Sequence, residues 1–115
     1  MKISITGGRV IDPVSRRDEV QDVFVDGDVI VALGRAPEGF KAARSIDAAG
    51  CVVCPGFTEI GAHLREPGAE HKATIASELE AAAAAGFTTV CCTPDTDPVI
   101  DTPAVVELIN QRARG

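Results

Sequence analysis

Short apolar runs broken by turn-forming residues fill the first half of the chain. Lys2-Ile3-Ser4-Ile5-Thr6 alternates polar and apolar residues, Gly7-Gly8 reads as a turn, and Arg9-Val10-Ile11 stops at Asp12-Pro13, which together predict a hairpin. Val23-Phe24-Val25 and Val29-Ile30-Val31 flank Asp26-Gly27, a pair suited to the positive φ values of a tight hairpin turn. Between these hairpins, Arg16-Arg17-Asp18-Glu19 reads as a solvated loop. Ser45-Ile46-Asp47 and Cys51-Val52-Val53, around Ala49-Gly50, predict two further short strands. Residues 1–54 are expected to form a small β-sandwich module.

From Pro55-Gly56 the period changes. Phe57 to His63 reads as a strand, Arg65-Glu66-Pro67-Gly68 as a loop, and Thr74 to Ala85 as a helix with Thr74 at its N-cap and Gly86 past its end. Ile75 and Leu79 are spaced i, i+4, and the alanine run after them favours helix and permits close approach to a sheet. Phe87 to Cys92 reads as a second buried strand, and Thr102-Pro103 opens a helix running to about Ala113. The order β, α, β, α over residues 55–115 predicts an α/β fold containing the first two βα units of a TIM-type (β/α)8 barrel. A complete barrel takes eight units and typically about 250 residues. The chain is therefore expected to be the N-terminal portion of a longer protein, with the edge of the Phe87–Cys92 strand left open to self-association.

Composition narrows the partners. With 45% hydrophobic and 24% charged residues the chain is expected to fold. Seventeen acidic residues against eleven basic ones give a net charge of -6, and the basic residues are scattered apart from Arg16-Arg17, so no nucleic-acid or anionic-membrane surface is expected. No apolar run approaches the roughly 20 residues that cross a bilayer, and the N-terminus lacks a secretory pattern, so a cytoplasmic location is expected. The four cysteines lie in apolar, strand-like runs and read as reduced packing residues. Cys51 and Cys54 face opposite ways on a strand and precede Pro55-Gly56 in place of a helix, so neither a redox nor a zinc role is expected.

The candidate chemistry sits between Thr58 and Arg65. On a regular strand Glu59, Gly61, His63 and Arg65 share one face. Two imidazoles two residues apart could hold a divalent metal, with a guanidinium two residues further on to grip a substrate carboxylate, but glycine occupies one of the imidazole positions.

The runs Val53-Cys54-Pro55-Gly56-Phe57, His63-Leu64-Arg65-Glu66-Pro67-Gly68, Ala85-Gly86-Phe87-Thr88-Thr89-Val90 and Thr93 to Asp101 resemble the dihydroorotase branch of the amidohydrolase superfamily. The β module before them, with Ile11-Asp12-Pro13 and the Val25-Asp26-Gly27 hairpin, resembles the family's N-terminal sandwich. Hydantoinases and allantoinases share that architecture; the LREPG element and the Pro-x-Thr-x-Pro loop after the second strand favour dihydroorotase.

The resemblance implies a site. In active members the first barrel strand reads Asp-x-His-x-His-x-Arg. Its histidines bind zinc together with ligands from later strands, and a metal-bound hydroxide attacks the ring amide of dihydroorotate. The arginine and an asparagine after the second strand hold the substrate carboxylate. By position, Glu59 replaces the aspartate, Gly61 the first histidine and Asp95 the asparagine, while His63 matches the second histidine and Arg65 the arginine.

Gly61 supplies no ligand, and Asp95 sets a negative charge against a dicarboxylate substrate. His63 is thus expected to be a vestigial metal position and Arg65 and Asp95 vestigial substrate positions, with no catalytic residue and no cofactor in this chain. Arg65 could equally bridge to Glu66 or Asp95, and His71 is expected at the surface. The function implied is a non-catalytic dihydroorotase-like protein that helps assemble aspartate transcarbamoylase. The competing expectation is an active zinc-dependent cyclic amidohydrolase with a reduced ligand set.

Overall fold

An eleven-residue strand, β1 (Lys2–Asp12), organises the first half of the computed structural model, which describes residues 1–114. The chain divides into two units, Met1–Pro55 and the residues from Gly56 onward. In the first, β1 pairs antiparallel with β2 (Arg17–Asp26), which pairs antiparallel with β3 (Val29–Leu33). The other edge of β1 takes two short parallel strands in succession. β4 (Arg44–Asp47) runs along its first half and β5 (Val52–Val53) along its second.

The expected sandwich is therefore, among the described residues, a single sheet of five strands. Its cause lies in the register: Ile3 to Thr6 face Arg44 to Asp47, and Arg9 faces Val52, so β4 and β5 extend the sheet sideways and do not stack on it.

Gly7-Gly8 is not a turn. The register of β1 against β2 shifts between Ile5 and Gly8, which marks a β-bulge inside one continuous strand, with Gly7 at φ 73°. A side chain at Gly8 would stand 2.6 Å from Val53 Cγ2 and 3.0 Å from Ala48 Cβ, so close approach of the neighbouring chain requires glycine there.

The first hairpin closes instead after Asp12, whose carboxylate accepts the amides of Val14 and Ser15 at 3.0 and 3.3 Å. Arg17, Asp18 and Glu19, expected in a loop, begin β2, where Asp18 receives two hydrogen bonds from the Arg9 guanidinium at 2.6 and 2.7 Å. The β2–β3 hairpin forms where expected. Asp26 pairs with Val29, which leaves Gly27-Asp28 as a two-residue loop with Gly27, at φ 65°, in its first position. Val10, Val23, Phe24 and Ala48 are the buried apolar residues of this unit, with Phe40 set edge-on to Phe24 at 5.3 Å.

The second unit runs β6 (Phe57–Ala62), α1 (Ile75–Ala84), β7 (Phe87–Cys92) and α2 (Pro103–Ala113), with β6 and β7 parallel. α1 starts at a capping box: Thr74 Oγ1 accepts the Ser77 amide at 3.2 Å and Ser77 Oγ accepts the Thr74 amide at 3.0 Å. Pro103 opens α2, although the Thr102 side chain makes no cap hydrogen bond. Leu64, Ile75, Val105 and Ile109 form the buried cluster, with Ala62, Leu79, Val90, Cys92 and Ile100 packed around it.

Packing of the cysteines is limited to Cys92. Cys51, Cys54 and Cys91 are exposed free thiols. Cys92 turns toward the helices and Cys91, one residue earlier, turns away from them. Among the described residues no helix is long and apolar enough to cross a membrane.

Candidate functional site

β6 does not keep one face from Glu59 to Arg65. Glu59 pairs with Val90 and Ala62 with Cys92, so three steps along β6 match two along β7 and the alternation is reset between them. Val90 and Cys92 both pack toward the helical core, which places Glu59 on the helix side. There it lines a cleft of about 300 Å³ that Gly61 and His63 also line, together with Glu78, Ala81 and Ala82 of α1. Its Oε1 accepts the Gly61 amide at 2.9 Å. Ile60, inside the irregularity, is 84% exposed.

Gly61 has room for a side chain. A Cβ there would meet only Glu59 Oε1, at 3.9 Å, and the backbone is not in the left-handed region.

His63 follows β6 directly, and Thr93 follows β7. The Thr93 amide donates to the Ala62 carbonyl at 2.9 Å, which brings the two side chains together. His63 Nδ1 lies 2.7 Å from Asp95 Oδ2 and 3.0 Å from Thr93 Oγ1, and the Thr93 hydroxyl donates to Asp95 Oδ1. The Thr93 hydroxyl and, after it, His63 hold the Asp95 carboxyl below the usual carboxylate range. An ionised Asp95 is acceptor-only, so the network assigns a proton to His63 Nδ1 and leaves Nε2 outside it. Thr93 escaped the sequence reading. The signal that could have found it is that adjacent parallel strands end at the same level, which sets their following residues side by side.

Arg65 lies beyond the strand at φ 65°. Its side chain is exposed and makes no ion pair with a described residue; it lines a cleft of about 110 Å³ with Pro67, Gly68, Ala69, Asp95 and Asp97. The suggested bridge from Arg65 to Glu66 or Asp95 is not formed. Glu66 Oε2 instead accepts the Ile75 amide at 2.7 Å, and its Oε1 pairs with Arg112. His71 is exposed in the loop before α1.

The family model described as Dihydro-orotase-like matches residues 50–115. The chain belongs to this family. A dihydroorotase-like protein of Pseudomonas aeruginosa is 53% identical over 114 residues, covering 99% of this chain and 27% of that protein. A dihydroorotase of Solibacter usitatus is 50% identical over 116 residues, covering 99% and 26%. An L-hydantoinase from Arthrobacter aurescens matches 96% of this chain and 24% of its own length with a TM-score of 0.82 at 23% identity, which shows a shared fold. This dihydroorotase-like chain spans about a quarter of the length of the relatives it matches.

Zinc, implied by the family, does not fit the residues present. Gly61 offers no donor beside His63. Among the described residues no three His, Cys, Asp or Glu side chains gather where they could hold a metal ion. His63 Nε2 is the one imidazole nitrogen left available at this strand end.

Proposed function

We propose that this chain is part of a dihydroorotase-like protein of pyrimidine biosynthesis that works in the cytoplasm without catalysing hydrolysis and serves to assemble aspartate transcarbamoylase. The observation that carries this reading is the pairing of His63 with Asp95 beside an empty Gly61 position. On this reading His63 is a vestigial metal position, Arg65 and Asp95 are vestigial substrate positions, and Glu59 and Gly61 are degenerate ligand-motif positions. Family membership and the name of the Pseudomonas aeruginosa relative support the dihydroorotase-like part of the reading.

An assembly role needs surface more than chemistry. Val29, Ile30 and Val31 on β3 are exposed apolar side chains of the kind a protein partner covers. Self-association through the edges of β6 and β7 is the second contact we propose.

One feature favours an active zinc-dependent cyclic amidohydrolase with fewer ligands. A carboxylate on Nδ1 with Nε2 left open is also how proteins orient a metal-binding imidazole. Metal analysis of the full-length protein, a dihydroorotate hydrolysis assay and co-purification with aspartate transcarbamoylase separate the two. Co-purification without turnover is the expected result; stoichiometric zinc with turnover favours the enzyme.

A further inference from the structure

We infer that Asp95 is a positioning residue that makes His63 a strut between the end of β6 and the loop after β7, in place of a metal contact at that strand end. The inference deepens the non-catalytic reading and rests on it. The strand ends are joined first by backbone, through the Thr93 amide to the Ala62 carbonyl at 2.9 Å. Side chains then close a ring: the Thr93 hydroxyl donates to one oxygen of Asp95, and His63 Nδ1–H donates to the other at 2.7 Å.

Each proton in this ring has an acceptor and each carboxylate oxygen has a donor. Thr93 has a single hydroxyl proton, for which Asp95 Oδ1 and the Ala62 carbonyl, at 3.2 Å, are the acceptors, so it meets His63 Nδ1 only as an acceptor, at 3.0 Å. The ring is complete without a cation. It also fixes Asp95, and with it the start of the segment that leads to α2. Thr96, next in that segment, is held by its own hydroxyl on the Pro98 carbonyl at 2.8 Å.

The test uses the full natural polypeptide labelled with 15N-histidine. NMR is expected to show His63 protonated at Nδ1, with shifts that one equivalent of Zn2+ alone leaves unchanged. Asp95→Ala should move His63 to the tautomer mixture of a free imidazole and speed exchange of the Thr93 amide about tenfold, the loss of one ordinary hydrogen bond's worth of protection. Asp95→Asn, which keeps an acceptor oxygen in place, should retain the Nδ1–H form.

A wild-type His63 protonated at Nε2, a Zn2+-induced shift of Nε2, or an Asp95→Ala protein with unchanged His63 signals overturns the inference. Its failure is distinct from failure of the functional reading. Turnover of dihydroorotate with His63 unmoved by Zn2+ would remove the non-catalytic reading and keep the strut. Zn2+ on Nε2 without turnover would do the reverse.

Discussion

Glu66 holds the amide of Ile75 at 2.7 Å with one carboxylate oxygen and Arg112 with the other, so a single side chain ties the loop after β6 to the start of α1 and the end of α2. Ile75 is fully buried. Glu66→Ala leaves its amide without an acceptor at a helix start, a loss of about 1–3 kcal/mol. Urea unfolding of the full-length protein should show that loss, and Glu66→Gln, which keeps an oxygen in place, should show a smaller one. Equal stability of wild type and Glu66→Ala would remove Glu66 from this role.

Two glycines near the candidate site should respond in opposite ways. Gly61→Ala adds a methyl group in open space on an ordinary strand backbone, and its effect should stay within about 0.5 kcal/mol. Gly68 sits at φ 108°, where a Cβ would stand 2.7 Å from Asp97 Cβ and 2.8 Å from its carbonyl oxygen. Gly68→Ala should cost about 1–3 kcal/mol. Thermal melting of the pair compares them directly.

In the first unit, Gly8→Ala is expected to destabilise by about 1–3 kcal/mol, because its new methyl group meets Val53 Cγ2 and Ala48 Cβ. Val53→Ala removes the nearer of these atoms. The double variant should therefore be more stable than the sum of the two single effects, a coupling that a double-mutant cycle in urea would measure. Strict additivity would place the strain elsewhere.

Acid should weaken the fold through exposed carboxylates. The Ser15 hydroxyl holds Asp12, the Arg9 guanidinium holds Asp18, and Thr93 with His63 holds Asp95, each below the ordinary carboxylate range. A folded value below the unfolded one means that the stabilisation is fully present above about pH 4 and is lost as pH falls through the lower folded values. The urea midpoint should thus hold between pH 7 and 5 and decline below about 4. Asp18→Asn lacks one of these groups at every pH, so its decline should be shallower; a curve parallel to wild type would count against the Arg9–Asp18 contribution.

Much of the second unit could be read from sequence because its signals are local. Thr74 and Ser77 make the cap that starts α1, Pro103 opens α2, and the apolar run from Phe87 to Cys92 has flanks that end it. The misreadings came from neighbours that local pattern does not contain. Gly7-Gly8 looks like a turn until Ala48 and Val53 approach it, and it then becomes a bulge. Glu59 and His63 share a face only under an unbroken period of two, and pairing with β7 inserts an extra residue between Glu59 and Ala62. The candidate site was legible as a set of residue types, whereas its wiring through Thr93 depends on two strand ends lying level.

The arrangement of strands along β1 also sets an order of assembly. β2 reaches β1 across a short turn, and β3 reaches β2 across two residues, so this meander can form from chain neighbours alone. β4 meets β1 at Ile3 and Arg44, which requires closing a much longer loop before any hydrogen bond compensates the lost chain entropy. Folding of the first unit should therefore proceed from the meander outward, with β4 and β5 arriving late. Substitutions at Ser45 or Val52 would then act mainly on the unfolding rate, and those at Val23 or Phe24 on the folding rate.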